Sequence, residues 1–316
     1  MKTRKLIYGI ALAQARCLAA TLKAQNLYIT TDQGTLGSGA IGEYGLDGST
    51  IEASLVSGLN DPGGIAISGN NPFVANFYNG TVGEYTTSGS TVNPSLISSG
   101  LNEPRGIAIS SSDVFVANYG SDTIGEYTTS GATVNASLIS TGLAVPDRIA
   151  ISGGYVFILS LGSGGGGYIG EYGLDGSVIN ASLISGLYSP TGIAISGNDL
   201  FVTSYGSSAY NDIDGTVAEY TTSGAVVNAL LITDLYHPSD IAILGNDMFV
   251  ANSAAGLSGA GSIGEYTTLG QTVNASLISG LTDPRAIAVG PVPEPSTVAV
   301  VCLSGAAVLW LWRRRK

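Results

Sequence analysis

Between residues 26 and 290 this 316-residue chain carries only three basic side chains, Arg105, Arg148 and Arg285, and its single histidine is His237. All four fall in one class of segment: Glu103-Pro104-Arg105-Gly106, Val145-Pro146-Asp147-Arg148, His237-Pro238-Ser239-Asp240 and Asp283-Pro284-Arg285-Ala286. Two further members are Asp61-Pro62-Gly63-Gly64 and Ser189-Pro190-Thr191-Gly192. A guanidinium presents a planar fork of donors that fits oxyanions bidentately. Arg105, Arg148 and Arg285, with His237 and Asp240, are therefore candidate binding residues for an anionic group such as a carboxylate, a sulfate or an acidic sugar. Asp61, Glu103, Asp147, Asp240 and Asp283 sit in the same segments, which leaves a second outcome open, in which each arginine only neutralises an acidic neighbour. His237 is also the one candidate general base, and hence the one candidate catalytic residue.

Oxygen ligands for a divalent cation form a second set. Asn76, Asn118 and Asn252 recur at the end of a hydrophobic run with acidic residues nearby, a donor chemistry suited to Ca²⁺ or Mg²⁺. The same asparagines are equally explained as turn caps. Asp212 and Asp214, in Asn211-Asp212-Ile213-Asp214-Gly215, look like part of a calcium loop, but Tyr210 stands where a first acidic ligand belongs and no Glu occupies the twelfth position. Both cysteines, Cys17 and Cys302, lie in the terminal segments, so thiolate chemistry and disulfides are excluded between them.

These residues are set in a unit written six times. Gly-Glu-Tyr, once Ala-Glu-Tyr, recurs with its glutamate at positions 43, 84, 126, 171, 219 and 265, spacings of 41 to 48 residues. Each unit holds four short strand-like runs separated by Gly, Ser, Asn, Asp or Pro, and helical spacing appears nowhere between the tails. Four antiparallel strands per repeat of this length predict an all-β, six-bladed β-propeller rather than a solenoid. Asn135-Ala136-Ser137, Asn180-Ala181-Ser182 and Asn274-Ala275-Ser276 satisfy a glycosylation sequon but arise from the same repeat.

The ends read as addresses. Lys2, Arg4 and Lys5 precede the apolar run Leu6 to Ala13, the pattern of a secretory signal over residues 1–25. Residues 291–316 hold Val292-Pro293-Glu294-Pro295-Ser296, an apolar run from Thr297 to Trp312 and the terminal Arg313-Arg314-Arg315-Lys316. Proline breaks regular structure, the apolar run can enter a bilayer as a transmembrane helix, and the basic cluster is held on the cytoplasmic side. Between the tails, residues 26–290 carry 22 acids against 3 arginines, a formal charge of −19. Such a field repels phosphate backbones, so no nucleic acid is expected as a partner.

The C-terminal order of motif, apolar run and basic cluster resembles the PEP-CTERM signal of bacteria. That resemblance implies passage through the secretion translocon, transient anchoring in the inner membrane, cutting near Pro293 to Ser296 by an exosortase, and delivery to the cell surface or extracellular matrix. The Pro-x-Gly-Ile-Ala-Ile runs resemble the innermost strand of NHL-type propellers, and Phe-Val-Ala-Asn-Tyr the second. Leu27-Tyr28-Ile29-Thr30 then matches a second strand and Ala286-Ile287-Ala288-Val289 a first, so the closing blade is expected to take its inner strand from the C-terminus and three from the N-terminus. The resemblance also places the six proline loops around the channel mouth, the usual binding face. The reading is an exported binding or matrix-associated propeller without catalysis, with extracellular polysaccharide as a partner. The alternative is a metal-dependent lactonase or lyase, since gluconolactonase-type propellers hold a divalent ion in the channel through Glu, Asn and Asp.

Overall fold

The repeat forms twenty-four strands in a computed structural model that describes residues 25–32, 34–162, 166–206, 214–253 and 261–292. The N-terminal apolar run, Asp212, Pro293 to Ser296, and the apolar run and basic cluster beyond lie outside the described residues. Gln25–Gly290 is one compact unit. Among the described residues no helix is long and apolar enough to cross a membrane.

Blade 2 is β4 (Pro62–Ser68), β5 (Asn71–Asn76), β6 (Thr81–Tyr85) and β7 (Thr91–Ile97), and blade 3 is β8 (Pro104–Ser110), β9 (Asp113–Asn118), β10 (Thr123–Thr128) and β11 (Thr133–Ile139). Blade 4 follows as β12 (Pro146–Ser152), β13 (Tyr155–Ser160), β14 (Gly166–Gly173) and β15 (Val178–Tyr188). Blade 5 is β16 (Pro190–Ser196), β17 (Asp199–Ser204), β18 (Gly215–Thr221) and β19 (Val226–Leu235), and blade 6 is β20 (Pro238–Leu244), β21 (Asp247–Asn252), β22 (Gly261–Thr267) and β23 (Thr272–Leu281). Blade 1 closes the ring: β24 (Pro284–Pro291) pairs with β1 (Gln25–Thr31), followed by β2 (Gly39–Gly45) and β3 (Thr50–Leu59). Thr30 clamps that join, since its Oγ1 accepts the Ala286 N–H at 3.0 Å. The first strand of each blade is innermost, and β4, β8, β12, β16 and β20 touch in succession.

The core lies between blades. Phe115 on β9 packs with Val156 and Ile158 of the next blade, Phe157 with Leu200 and Val202, and Phe201 with Met248 and Val250. Each phenylalanine is buried against aliphatic side chains or methionine of the next blade, and Phe→Ala at such a site costs about 3–5 kcal/mol. Blade 1 has Tyr28 at this register, and its hydroxyl donates to buried Glu43 at 3.0 Å. The turn between third and fourth strands also docks on the preceding blade. Gly131 has φ 87°, and a Cβ there would meet the Leu96 carbonyl oxygen at 2.5 Å, so only glycine fits.

The outer strands explain the sequon-like triplets. Each bulges where Asn93, Asn135, Asn180, Asn228 and Asn274 accept, through Oδ1, the N–H two residues on at 3.1 Å. The bulge and the capped donor blunt an exposed edge that carries Val92, Val134 and Val273.

Candidate functional site

The site is built by the residues around each loop proline. The residue before it takes a left-handed conformation in all six loops: Asp61, Glu103, Val145, Ser189, His237 and Asp283 have φ between 41° and 58°. Its carbonyl then accepts the N–H of the residue just past the second strand, which is Phe77, Tyr119, Leu161, Tyr205, Ser253 or Asp32. The proline itself pairs with the last residue of the second strand, and in β4, β8, β12, β16 and β20 the ladder shifts register immediately after it. That bulge releases the residue after proline from the ladder at the mouth: Arg105, Asp147, Thr191 and Ser239, with Arg285 at the matching position of β24.

One position further on, the side chains meet the channel. Gly64, Gly106 and Gly192 leave no side chain there, and Cβ atoms on Gly64 and Gly106 would lie 2.3 Å from Arg105 O and 2.7 Å from Asp147 O. The large residues at this level are Arg148 and Asp240, and they narrow the channel to a constriction that holds a cavity of about 100 Å³, which they line with the inner isoleucines. Arg148 donates through Nη1 to Asp147 Oδ2 at 2.9 Å and through Nη2 to Ser239 O and Arg285 O at 3.5 and 3.4 Å. Its Nε lies 3.7 Å from Asp240 Oδ1. It thereby reaches from blade 4 across to blades 6 and 1. Burial opposes the Arg148 charge, but Asp147 and Asp240 raise its pKa nonetheless. Burial pushes the Asp240 carboxyl up to about 6, despite Arg148 and the Ile287 N–H, which Asp240 Oδ2 accepts at 3.1 Å.

Above the constriction lies a cavity of about 380 Å³, whose lining includes Arg105, Asp147, Arg148, Tyr205, Asp283 and Arg285. Arg105 donates to Asp147 Oδ1 at 2.9 Å, with its guanidinium 4.2 Å from the Tyr119 ring centre and 5.0 Å from that of Phe77, a cation–π clamp. Arg285, 40% exposed, lies 3.0, 3.6 and 3.7 Å from Asp283, Asp32 and Asp61. Burial raises the Asp61 pKa, with Arg285 acting in the opposite direction.

The structure thus brings Arg105, Arg148, Asp240 and Arg285 together at the mouth and pairs every one of those arginines with aspartate. His237 does not line the cavity. It is buried, stacked 4.2 Å from the Tyr205 ring and 4.4 Å from Tyr236, and neither ring nitrogen has a hydrogen-bond partner among the described residues. Asn76, Asn118 and Asn252 end the second strands of three different blades. Asn118 is a turn cap, accepting the Asn102 N–H and donating to Gly100 O and Thr123 Oγ1. Asp214 precedes β18, away from those asparagines in the chain. Among the described residues no group of three or more His, Cys, Asp or Glu is placed to hold a metal ion. Sequence reasoning missed Asp32, Phe77, Tyr119, Tyr205 and Ser253. Their common register, one residue past the second strand, was visible in the repeat, but its meaning required knowing that the proline loop binds that backbone N–H.

The PEP-CTERM protein-sorting motif matches residues 291–316. No curated protein matches the chain. Among solved structures, a chain of a nidogen/laminin complex is similar at 16% identity and TM-score 0.67, covering 85% of this chain and 99% of that one. A gluconolactonase from Xanthomonas campestris has 13% identity and TM-score 0.53 over 71% of this chain and 82% of its own. Regucalcin, a calcium-binding protein from Agrobacterium tumefaciens, has 15% identity and TM-score 0.53 over 70% and 75%. At these identities the likeness is one of fold. The chain is a six-bladed β-propeller that carries a PEP-CTERM protein-sorting motif at its C-terminus.

Proposed function

We propose that this protein is an exported, surface-sorted binding propeller whose channel mouth takes a neutral polyhydroxylated ligand of the extracellular matrix. In this reading residues 1–25 are removed as a signal peptide, the tail from 291 serves exosortase sorting, and the propeller between them is delivered to the surface. One observation carries the ligand class: every mouth arginine already has aspartate partners. Asp32, Asp61, Asp147, Asp240 and Asp283 outnumber Arg105, Arg148 and Arg285, so the paired cluster around the mouth is net negative even though only Asp147 and Asp283 line the cavity with the arginines, and this disfavours the acidic sugar expected from the arginines alone. Fixed guanidinium–carboxylate pairs beside aromatic rings offer donors, acceptors and flat apolar faces together, which suits hydroxyl groups on a sugar ring.

Lactone hydrolysis, as in the Xanthomonas neighbour, and calcium binding, as in the Agrobacterium one, fit this channel poorly. Arg148, a permanent cation, lines the constriction, the Asn118 amide is committed to its turn, and His237 lies behind Tyr205. The lining hydroxyls are occupied too: Thr191 Oγ1 donates to Pro238 O at 2.7 Å and Ser239 Oγ to Pro284 O at 2.6 Å. Among the described residues no group of three or more His, Cys, Asp or Glu at the mouth could cage a cation.

An array of neutral and acidic glycans tests the reading. Neutral members should be retained, and Arg105→Gln should weaken them about tenfold, the cost of one charge-assisted hydrogen-bonding group. Retention of acidic glycans alone, or turnover of a lactone by the full-length chain, would overturn it.

A further inference from the structure

A second cavity of about 410 Å³ adjoins the first, sharing Leu161, Pro190, Thr191 and Tyr205 with it, and is completed by Tyr119, Val145, Gly162 and Ser189. Its chemistry differs. The first is lined by charged pairs; among the described residues the second has no charged side chain in its wall and has two tyrosine rings contributed by blades 3 and 5. Both tyrosines are held in place before any ligand arrives. Tyr119 carries Arg105 on its face, and Tyr205 stacks on buried His237 with the rings 7° from parallel. Side chains already fixed by packing lose little entropy on binding, so their faces act as platforms rather than as chance contacts.

Resting on the neutral-ligand reading above, the geometry points to the second cavity as a subsite for the next unit of the same ligand, making that ligand an oligosaccharide or polysaccharide of at least two neutral units. One unit sits over the Arg105–Asp147 pair and its neighbour between Tyr119 and Tyr205. Each cavity alone lies near the lower limit of about 300 Å³ for small-molecule pockets, while the pair sharing a wall falls well inside the range. The absence of charge from the second wall matters equally: hydroxyls pointing into it would be desolvated, whereas the apolar face of a pyranose ring or an N-acetyl methyl group would not. His237 gains a role consistent with its burial, as the positioning residue behind Tyr205.

The test is a length ladder. N-acetylglucosamine, its dimer and its tetramer, and glucose, cellobiose and cellotetraose, are titrated calorimetrically into the full-length chain. Affinity should rise at least tenfold from monomer to dimer in one series and level off beyond it. Tyr119→Leu and Tyr205→Leu keep apolar bulk but lose the flat ring; because Tyr119 clamps Arg105 and Tyr205 lines both cavities, each should weaken the monomer and weaken the dimer more, so that the gain from monomer to dimer disappears. Because Tyr205 also supports His237, thermal melts accompany both, and Tyr119→Leu stands alone if Tyr205→Leu unfolds. A flat ladder whose monomer binding still depends on Arg105 would overturn the second subsite and leave the mouth reading standing. No binding by any member of either series would overturn both.

Discussion

Val145 is the least comfortable residue of the mouth. It holds φ 58° although it is β-branched, because its carbonyl must accept the Leu161 N–H at 3.0 Å while its own N–H donates to Asp122 Oδ1 at 2.6 Å. A left-handed backbone costs an L-residue about 1–2 kcal/mol, and glycine avoids that while losing more chain entropy on folding. Val145→Gly should therefore stabilise the protein by about 1 kcal/mol, raising Tm by about 2–4 °C. A lower Tm would mean that the Val145 side chain contributes more by packing than its backbone costs. Arg105 shows the same economy of position, since one bulge, two rings and one carboxylate fix a side chain that is 34% exposed.

At the scale of elements, closure falls on β24. It supplies Ala286 and Ile287 to the inter-blade clusters, accepts Ser239 Oγ at Pro284 O, and has its Ile287 N–H accepted by Asp240. A chain ending at Leu281 keeps all four strands of blades 2 to 6 but leaves β1 with an open edge and Arg148 without the Arg285 carbonyl. That truncation should lose its cooperative melt and aggregate, whereas a chain ending at Pro291 should melt as the full-length protein does. Equal melting of the two by circular dichroism would show that the join through Thr30 and Asp240 is dispensable.

For the whole molecule the governing quantity is its charge of −19 between the tails. The upward carboxyl shifts share one leading cause, burial. Asp240 rises to about 6, and Glu126, Glu219 and Glu265 rise with Asp113, Asp199 and Asp247 facing them. A carboxyl whose folded pKa exceeds its unfolded value binds more protons folded than unfolded between the two values. Stability from it is then fully present below about 4 and is lost as pH rises through about 6. Melting temperature should therefore increase on going from pH 7 to pH 5, with Asp240 contributing about 1 kcal/mol of that change. Asp240→Asn, which mimics the protonated form, should flatten much of the slope while leaving Ile287 N–H an acceptor. A wild-type Tm that falls over this interval, or an unchanged slope in the variant, would contradict the assignment.

The period of the glutamates, the alternation within each strand and the phase of the Pro-x-Gly-Ile-Ala-Ile runs were enough to predict blade number, strand count and the mixed closing blade. Each of these is repeated or local, and each copy reinforces the others. The C-terminal sorting motif was legible for the same reason, as it is contiguous in the chain. The chemistry of the mouth was only half legible. Sequence placed Arg105, Arg148, Arg285 and Asp240 in equivalent loops, but bulge geometry sent residues one and two positions after proline to different depths, so Arg148 became a brace across the channel while Arg105 and Arg285 stayed at the cavity. Whether an arginine meets a ligand or an aspartate depends on distances of a few ångströms across blades far apart in the chain. Closing the ring sets those distances, bringing Asp32, just past β1, beside Arg285 in β24.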